Sequence, residues 1–294
     1  MQSCTQLTVT LSMLSWITLF TVANCAATEI EVLRDVVYGK ADSTELHLDM
    51  ALPANRAELS PCIVVIHGGA WRQGNKSMHD AEIRRFAADG YVSASIQYRL
   101  CPKDRFPAQI EDAKCAIRYL RAHAKQHDID PNRIGAIGFS AGAHLSMMLG
   151  TMNPEDGLEG NGGWPDQSSK VQAVVSFFGP TQLDADDIPN LSIPLVTDFI
   201  GGSKQDKANA YRQASPLTYV DRGDAPMLLF QGTQDILVPH SQAIKMVTAM
   251  SKAGVAGRVE FLINAGHGWQ GDDLDATIEA TSRFFHRYLK KPRS

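Results

Sequence analysis

The pentapeptide GFSAG, Gly138–Gly142, sets a serine between glycines where a strand-like run, RIGAIGF, gives way to a helix-like one, AGAHLSMMLG. A serine on a sharp strand-to-helix turn holds its hydroxyl clear of the sheet, as a nucleophile must. A hydroxyl alone is weak; it needs a base, and the base needs an orienting acid. LLFQGTQDILVP sets Asp235 just past a later strand-like run, and FLINAGHGWQG sets His267 just past the last one. Their rivals fit less well. His240 follows a proline at a helix start, His286 lies inside the terminal helical pattern, and His144 is one turn past Ser140. Asp187, Asp198 and Asp206 fall in a long polar stretch and read as solvated or capping residues.

Acyl transfer builds negative charge on a carbonyl oxygen, and preorganised backbone N–H groups stabilise it. The amide after the nucleophile, that of Ala141, is one such donor. VVIHGGAWRQGNK, Val64–Lys76, supplies the others: a buried-strand run ends in His67, Gly68, Gly69, Ala70 and Trp71. Gly68 and Gly69 let backbone amides approach the oxyanion with no side chain between. His67 reads as a structural residue tying this loop. Trp71 and Trp269 are candidates for walls of the substrate pocket, with ordinary burial an equal reading for Trp71.

Elements must hold these residues at one edge of a sheet. EIEVLRDVVYG and TELHLDMALP alternate apolar and polar residues, as a half-solvated hairpin would. CIVVIH is short and continuously apolar, a strand covered on both faces. YVSASIQY, RIGAIGF, VQAVVSFFG, APMLLFQG and RVEFLIN follow as strands. Between them lie AEIRRFAADG, PAQIEDAKCAIRYLRAHAKQH, AGAHLSMMLG and SQAIKMVTAMSKAG, and DLDATIEATSRFFHRYL ends the series. In the second of these, Ile110, Ala113, Ile117 and Leu120 share one helical face. The pattern predicts eight strands in a mostly parallel sheet with helices on both faces. Asn153–Lys170 and Gly179–Tyr219 interrupt it and read as loops or a small lid beyond the C-terminal strand ends, where ligands bind in such sheets. The expected organisation is a leader over 1–27 and one α/β domain over 28–294.

Composition sets further bounds. The 294 residues are 44% hydrophobic and 20% charged, ample for a large core, and the net charge is −4 with no Lys/Arg block. Nucleic acid and anionic membrane are excluded as expected partners. LTVTLSMLSWITLFTVA carries no charge and runs into NCAAT, which reads as an export signal cut near Ala27, giving a periplasmic or secreted protein. An uncleaved anchor or a lipid on Cys25 are the other readings of this segment. Of the five cysteines, Cys4 and Cys25 lie in the leader, while Cys62, Cys101 and Cys115 read as small buried side chains. A Cys101–Cys115 disulfide stays open, since spacing alone does not give the geometry. The nine histidines show no metal-ligand spacing, so neither metal nor cofactor is expected.

The order serine, aspartate, histidine is the one α/β-hydrolases use. The chain resembles their hormone-sensitive-lipase-type esterases, and most of all the feruloyl/acetyl-xylan esterase-like (BD-FAE-like) proteins. The motifs are HGGAW, YRLCP, FPAQIEDAKCAIRYLR, GFSAGAHLS, LEGNGGW, VVSFFGPTQL, ASPLTYV, GTQDILVP and AGHGW, which span nearly everything after residue 30. The resemblance implies the triad Ser140, Asp235 and His267 and the oxyanion donors Gly68, Gly69 and Ala141. It also implies hydrolysis of short acyl esters, including acetyl and feruloyl groups on plant polysaccharide. Two departures stand out: Gly142-Ala143 where the family often has Gly-Gly, and Gln231 where it often has histidine.

The expected function is a serine carboxylic-ester hydrolase for small-molecule or polysaccharide esters. The alternative is a general carboxylesterase or lipase with no carbohydrate role. A binding protein that keeps the fold is disfavoured by the complete triad. A serine aminopeptidase of the prolyl-oligopeptidase type is disfavoured by the short stretch ahead of CIVVIH, too short for the gating propeller such enzymes usually carry.

Overall fold

The computed structural model describes residues 29–54 and 59–290, so the expected leader, with Cys4 and Cys25, lies outside the described residues. The strands are β1 (Glu31–Ala41), β2 (Thr44–Leu52), β3 (Ser60–Ile66), β4 (Val92–Ile96), β5 (Ile129–Phe139), β6 (Ala173–Phe177), β7 (Met227–Gly232) and β8 (Gly257–Leu262). They form one eight-stranded sheet in the order β1-β2-β4-β3-β5-β6-β7-β8. The β1–β2 hairpin and the β2–β4 pair are antiparallel, and every other pair is parallel.

The helices are α1 (Asp80–Ala88), α2 (Ala108–Ala122), α3 (Ala141–Thr151), α4 (Ile193–Ile200), α5 (Ala208–Gln213), α6 (Ser241–Ala253) and α7 (Asp272–Phe285). Residues of α2, α3 and α6 pack with Cys62, Val64 and Ile66 on one face of the sheet. Residues of α1 and α7 pack with Ile63 and Val65 on the other. Every residue of β3 is buried, which is why CIVVIH is apolar without alternation. Because β3 and β5 to β8 run parallel, the segments that follow each of them all emerge at one edge of the sheet.

Of the two readings for Gly179–Tyr219 the structure has the lid: the stretch contains α4 and α5, and residues of α4 turn toward the sheet edge. The structure corrects the expectation for the other stretch. Asn153–Lys170 follows α3 and leads into β6, so it sits at the opposite edge from the strand C-termini. There it is an anchored strap. Glu159 accepts from Lys114 Nζ (2.8 Å) and Arg118 Nη1 (2.7 Å), and Trp164 Nε1 donates to the Tyr38 carbonyl (2.9 Å). Cys62, Cys101 and Cys115 are buried free thiols, with no Cys101–Cys115 bond.

Candidate active site

The β5–α3 elbow is built by close backbone approach. Ser140 has φ +53° and ψ −115°, a conformation that non-glycine residues seldom adopt. A Cβ on Gly142 would lie 2.0 Å from the Ile66 carbonyl oxygen, so only glycine lets α3 start this close to β3. The Ser140 amide donates to the Phe177 carbonyl (2.9 Å), fixing the turn to β6.

Ser140, Asp235 and His267 are brought together. Ser140 Oγ is 2.9 Å from His267 Nε2, and His267 Nδ1 is 2.7 Å from Asp235 Oδ2. The Asp235 carboxylate has side-chain exposure 0% against 19% for His267. Besides His267, it accepts from Gln231 Nε2 (3.0 Å) at Oδ2 and from the Leu237 and Val238 amides (2.9 Å each) at Oδ1. Burial works to raise the Asp235 pKa, but the hydrogen bonds from His267, Val238 and Leu237 together outweigh it and hold the carboxyl below the usual aspartate value. An ionised acceptor then fixes the imidazole with its proton on Nδ1, leaving Nε2 free to accept from the serine hydroxyl.

Gln231 is the residue that sequence reasoning underrated. It stands where the resemblance led us to expect histidine, and only the structure puts its amide on Asp235 Oδ2 and on the Val238 carbonyl (2.9 Å). The one available signal was a polar residue inside an otherwise apolar strand, LLFQG.

The glycine loop after β3 faces the elbow. A Cβ on Gly68 would meet Ser140 Cβ at 3.4 Å, and Gly69 has φ +105°. Ala141 opens α3, where first-turn amides have no intrahelical acceptor. His67 is buried and stacked on Tyr98 (4.2 Å between centroids, 11° between planes), with Nδ1 donating to the Gly68 carbonyl (2.8 Å). It belongs to the scaffold of the loop.

Gly68, Gly69, Trp71, Ser140, Ala141 and His267 line a cleft of about 570 Å³. Leu183, Ile188, Leu195, Val196, Leu237 and Val238 give the cleft apolar walls, so the α4 insertion and the segment after Asp235 shape it. Trp71 meets both readings, lining the cleft while only 4% exposed. Trp269 does not line it: it packs on Phe177 and Phe178 and donates to Thr277 Oγ1 (3.0 Å), behind the cleft rather than in it. The rival residues are elsewhere too. His240 and His286 are exposed, His144 is fully buried, Asp198 pairs with Arg72 (3.1 Å) and Asp187 with Lys245 (3.0 Å). Asp206 accepts from Ser203 Oγ (2.6 Å). Among the described residues no cluster of His, Cys, Asp or Glu could hold a metal ion.

The two buried imidazoles make stability depend on pH. Burial drives both His67 and His144 down to about 4. Unfolded, each would bind a proton near 6.5. Between those values the unfolded chain holds more protons, so stability present above about pH 6.5 is lost as pH falls toward 4. Asp224, pushed up to about 7 by burial and by the neighbouring Asp221 charge, opposes them over the same range. The melting temperature is therefore expected to fall between pH 7 and pH 4.5, and to fall more steeply in Asp224→Asn. Melts followed by circular dichroism check this; a midpoint that is constant or rises on acidification contradicts it.

A mostly parallel eight-stranded sheet with serine at the β5–α3 elbow, aspartate after β7 and histidine after β8 defines an α/β-hydrolase. The BD-FAE family model matches residues 48–250, and the chain belongs to that family. It is 32% identical over 241 residues to the esterase LipC of Mycobacterium tuberculosis, covering 78% of this chain. The chain spans little more than half the length of such curated relatives, 58% in this case. Among solved structures it is similar to a truncated carbohydrate esterase from gut microbiota, with TM-score 0.80 and 28% identity over 90% of this chain and 98% of that one. It is also similar to propionate-bound esterase 2 of the planctomycete Thermogutta terrifontis, with TM-score 0.73 and 26% identity over 92% and 97% of the two chains.

Proposed function

We propose that this protein is a serine carboxylic-ester hydrolase that cleaves short acyl esters through an acyl-enzyme. The observation that carries the reading is the unbroken hydrogen-bond chain from Ser140 through His267 to Asp235, opening into a cleft beside the Gly68–Gly69 loop. Ser140 Oγ attacks the ester carbonyl while His267 Nε2 takes its proton. The amides of Gly68, Gly69 and Ala141 receive the developing oxyanion. Asp235 keeps the ring in its working tautomer and stabilises its charged form. The tetrahedral intermediate collapses, the alcohol leaving with the proton from His267. Water, deprotonated by the same ring, then attacks the acyl-serine and releases the acid. No step requires a metal or an organic cofactor.

The apolar walls of the cleft favour an apolar acyl group, and the bound propionate of the Thermogutta enzyme supports a short one. The likeness to a carbohydrate esterase supports acetyl or feruloyl groups on plant polysaccharide as the natural esters. Export through the 1–27 leader would bring the enzyme to such polymers.

The test is hydrolysis of p-nitrophenyl acetate, butyrate and octanoate, of methyl ferulate and of acetylated xylan. Turnover is expected to fall with chain length and to include release from the xylan or the ferulate ester. A small organophosphonate should add one equivalent to the protein, at Ser140. Activity on simple esters alone would reduce the reading to a general carboxylesterase, and hydrolysis of none would overturn it.

A further inference from the structure

The serine-esterase reading leaves one buried group beside the site without a role. His144 lies one turn into α3, its amide donating to the Ser140 carbonyl (3.0 Å), and its side chain is 0% exposed. Nε2 stands 2.6 Å from the Ala214 carbonyl, which can only accept, so Nε2 carries the proton. Nδ1 is then an acceptor, and it receives the Trp71 indole N–H at 3.3 Å. A single neutral tautomer satisfies both contacts.

Trp71 itself sits in a contorted stretch. Gly69, Ala70 and Trp71 have φ of +105°, +53° and +58° in succession. Such backbone is costly for alanine and tryptophan and persists only where the surroundings over-determine it. The surroundings here are specific. The Trp71 ring stacks on Phe199 of α4 (4.2 Å, 12°) and stands edge-on to His144 (5.1 Å, 85°). The Trp71 carbonyl accepts from the Cys101 amide (2.9 Å), and Arg72 pairs with Asp198 of α4. Stacking lets a ring slide in its plane; the one directional bond on the indole is the one to His144.

We infer that His144 is a positioning residue: acting through Trp71, it fixes the Gly68–Gly69 amides over Ser140. It touches neither substrate nor the reacting atoms. The inference rests on the esterase reading above and adds to it a link between the nucleophile helix and the oxyanion loop. A loop whose amides drift by an ångström loses transition-state stabilisation but little ground-state binding.

The experiment compares His144→Leu, His144→Asn and His144→Gln on p-nitrophenyl acetate, with kcat, KM and melting temperature measured for each. Leucine should lower kcat about 10- to 100-fold with KM within about threefold. Asparagine places an acceptor where Nδ1 was and should restore kcat to within about fivefold. Glutamine reaches toward Ala214 rather than Trp71 and should not, even where it restores the melting temperature as well. Should the leucine variant fail to fold, Trp71→Phe keeps an aromatic ring against Phe199 and removes the same bond from the other side, and should give at least the same loss in kcat. Phenylalanine and asparagine together should then cost no more than phenylalanine alone. The inference is overturned if kcat follows the melting temperature across the three His144 variants. It is equally overturned if kcat of His144→Leu or Trp71→Phe stays within twofold of wild type. Failure of the esterase reading looks different: there, hydrolysis would be absent or indifferent to Ser140 in the parent protein.

Discussion

Ser140→Ala is expected to lower kcat for p-nitrophenyl acetate by about four to six orders of magnitude while the protein remains folded. The substitution deletes one oxygen whose recorded hydrogen bond is the one to His267 Nε2. No packing is lost with it, and alanine bears the φ of +53° no worse than serine does. The elbow is held by the Ser140 amide on the Phe177 carbonyl and by the seat of Gly142 on Ile66, both of which alanine keeps. Activity should therefore collapse with the melting temperature nearly unchanged, and phosphonate labelling should vanish. What turnover remains would come from the oxyanion donors acting on a water molecule. Turnover within tenfold of wild type, after contaminating esterase is excluded, would mean that the nucleophile is another group.

The site was legible in the sequence because each member is bound to a local rule. GFSAG sits on a strand-to-helix junction, and Asp235, His267 and the His67–Trp71 loop each follow a recognisable strand at its C-terminal end. A parallel sheet then brings those ends together without further information. What was not legible depends on packing. IPLVTDFI, the body of α4, carries Val196, Phe199 and Ile200 at helical spacing, but over only eight residues, too short a window to stand out among the surrounding Asp, Pro and Gly. It is helical because Phe199 finds Trp71 and Val196 finds the cleft. Trp269, the other pocket candidate, lies two residues past His267 along the chain. The turn after His267, through Gly268 at φ +118°, sends it instead onto Phe177 and Phe178. The strap over 153–170 was placed at the wrong edge, although a segment running from helix to strand must return to the strand N-termini.

The second large effect should come from Asp235→Asn, and its physical basis is the crowd of donors around that carboxylate. Oδ1 accepts from two backbone amides, while Oδ2 accepts from His267 and Gln231. An asparagine has one oxygen for these four donors. The rigid Leu237 and Val238 amides will claim it, which turns the asparagine NH2 toward His267 Nδ1 and the Gln231 NH2. His267 can meet a donor there only by moving its proton to Nε2, where it faces Ser140 Oγ and cannot accept from it. The base is thus lost through its tautomer although every heavy atom stays near its place, and the serine-hydrolase template puts the loss at about 10⁴ in kcat. The amide clash with Gln231 should add about 1–3 kcal/mol of destabilisation, the cost of a buried donor left without an acceptor. Gln231→Leu in the Asp235→Asn background removes the clashing donor, together with the Gln231 bond to the Val238 carbonyl. It should not recover turnover, because the His267 proton remains on the wrong nitrogen. Steady-state kinetics and melts of the single and double variants measure both effects. If Asp235→Asn keeps kcat within tenfold of wild type, the His267–Asp235 bond is only a structural contact, and the acid that orients the base must be sought elsewhere.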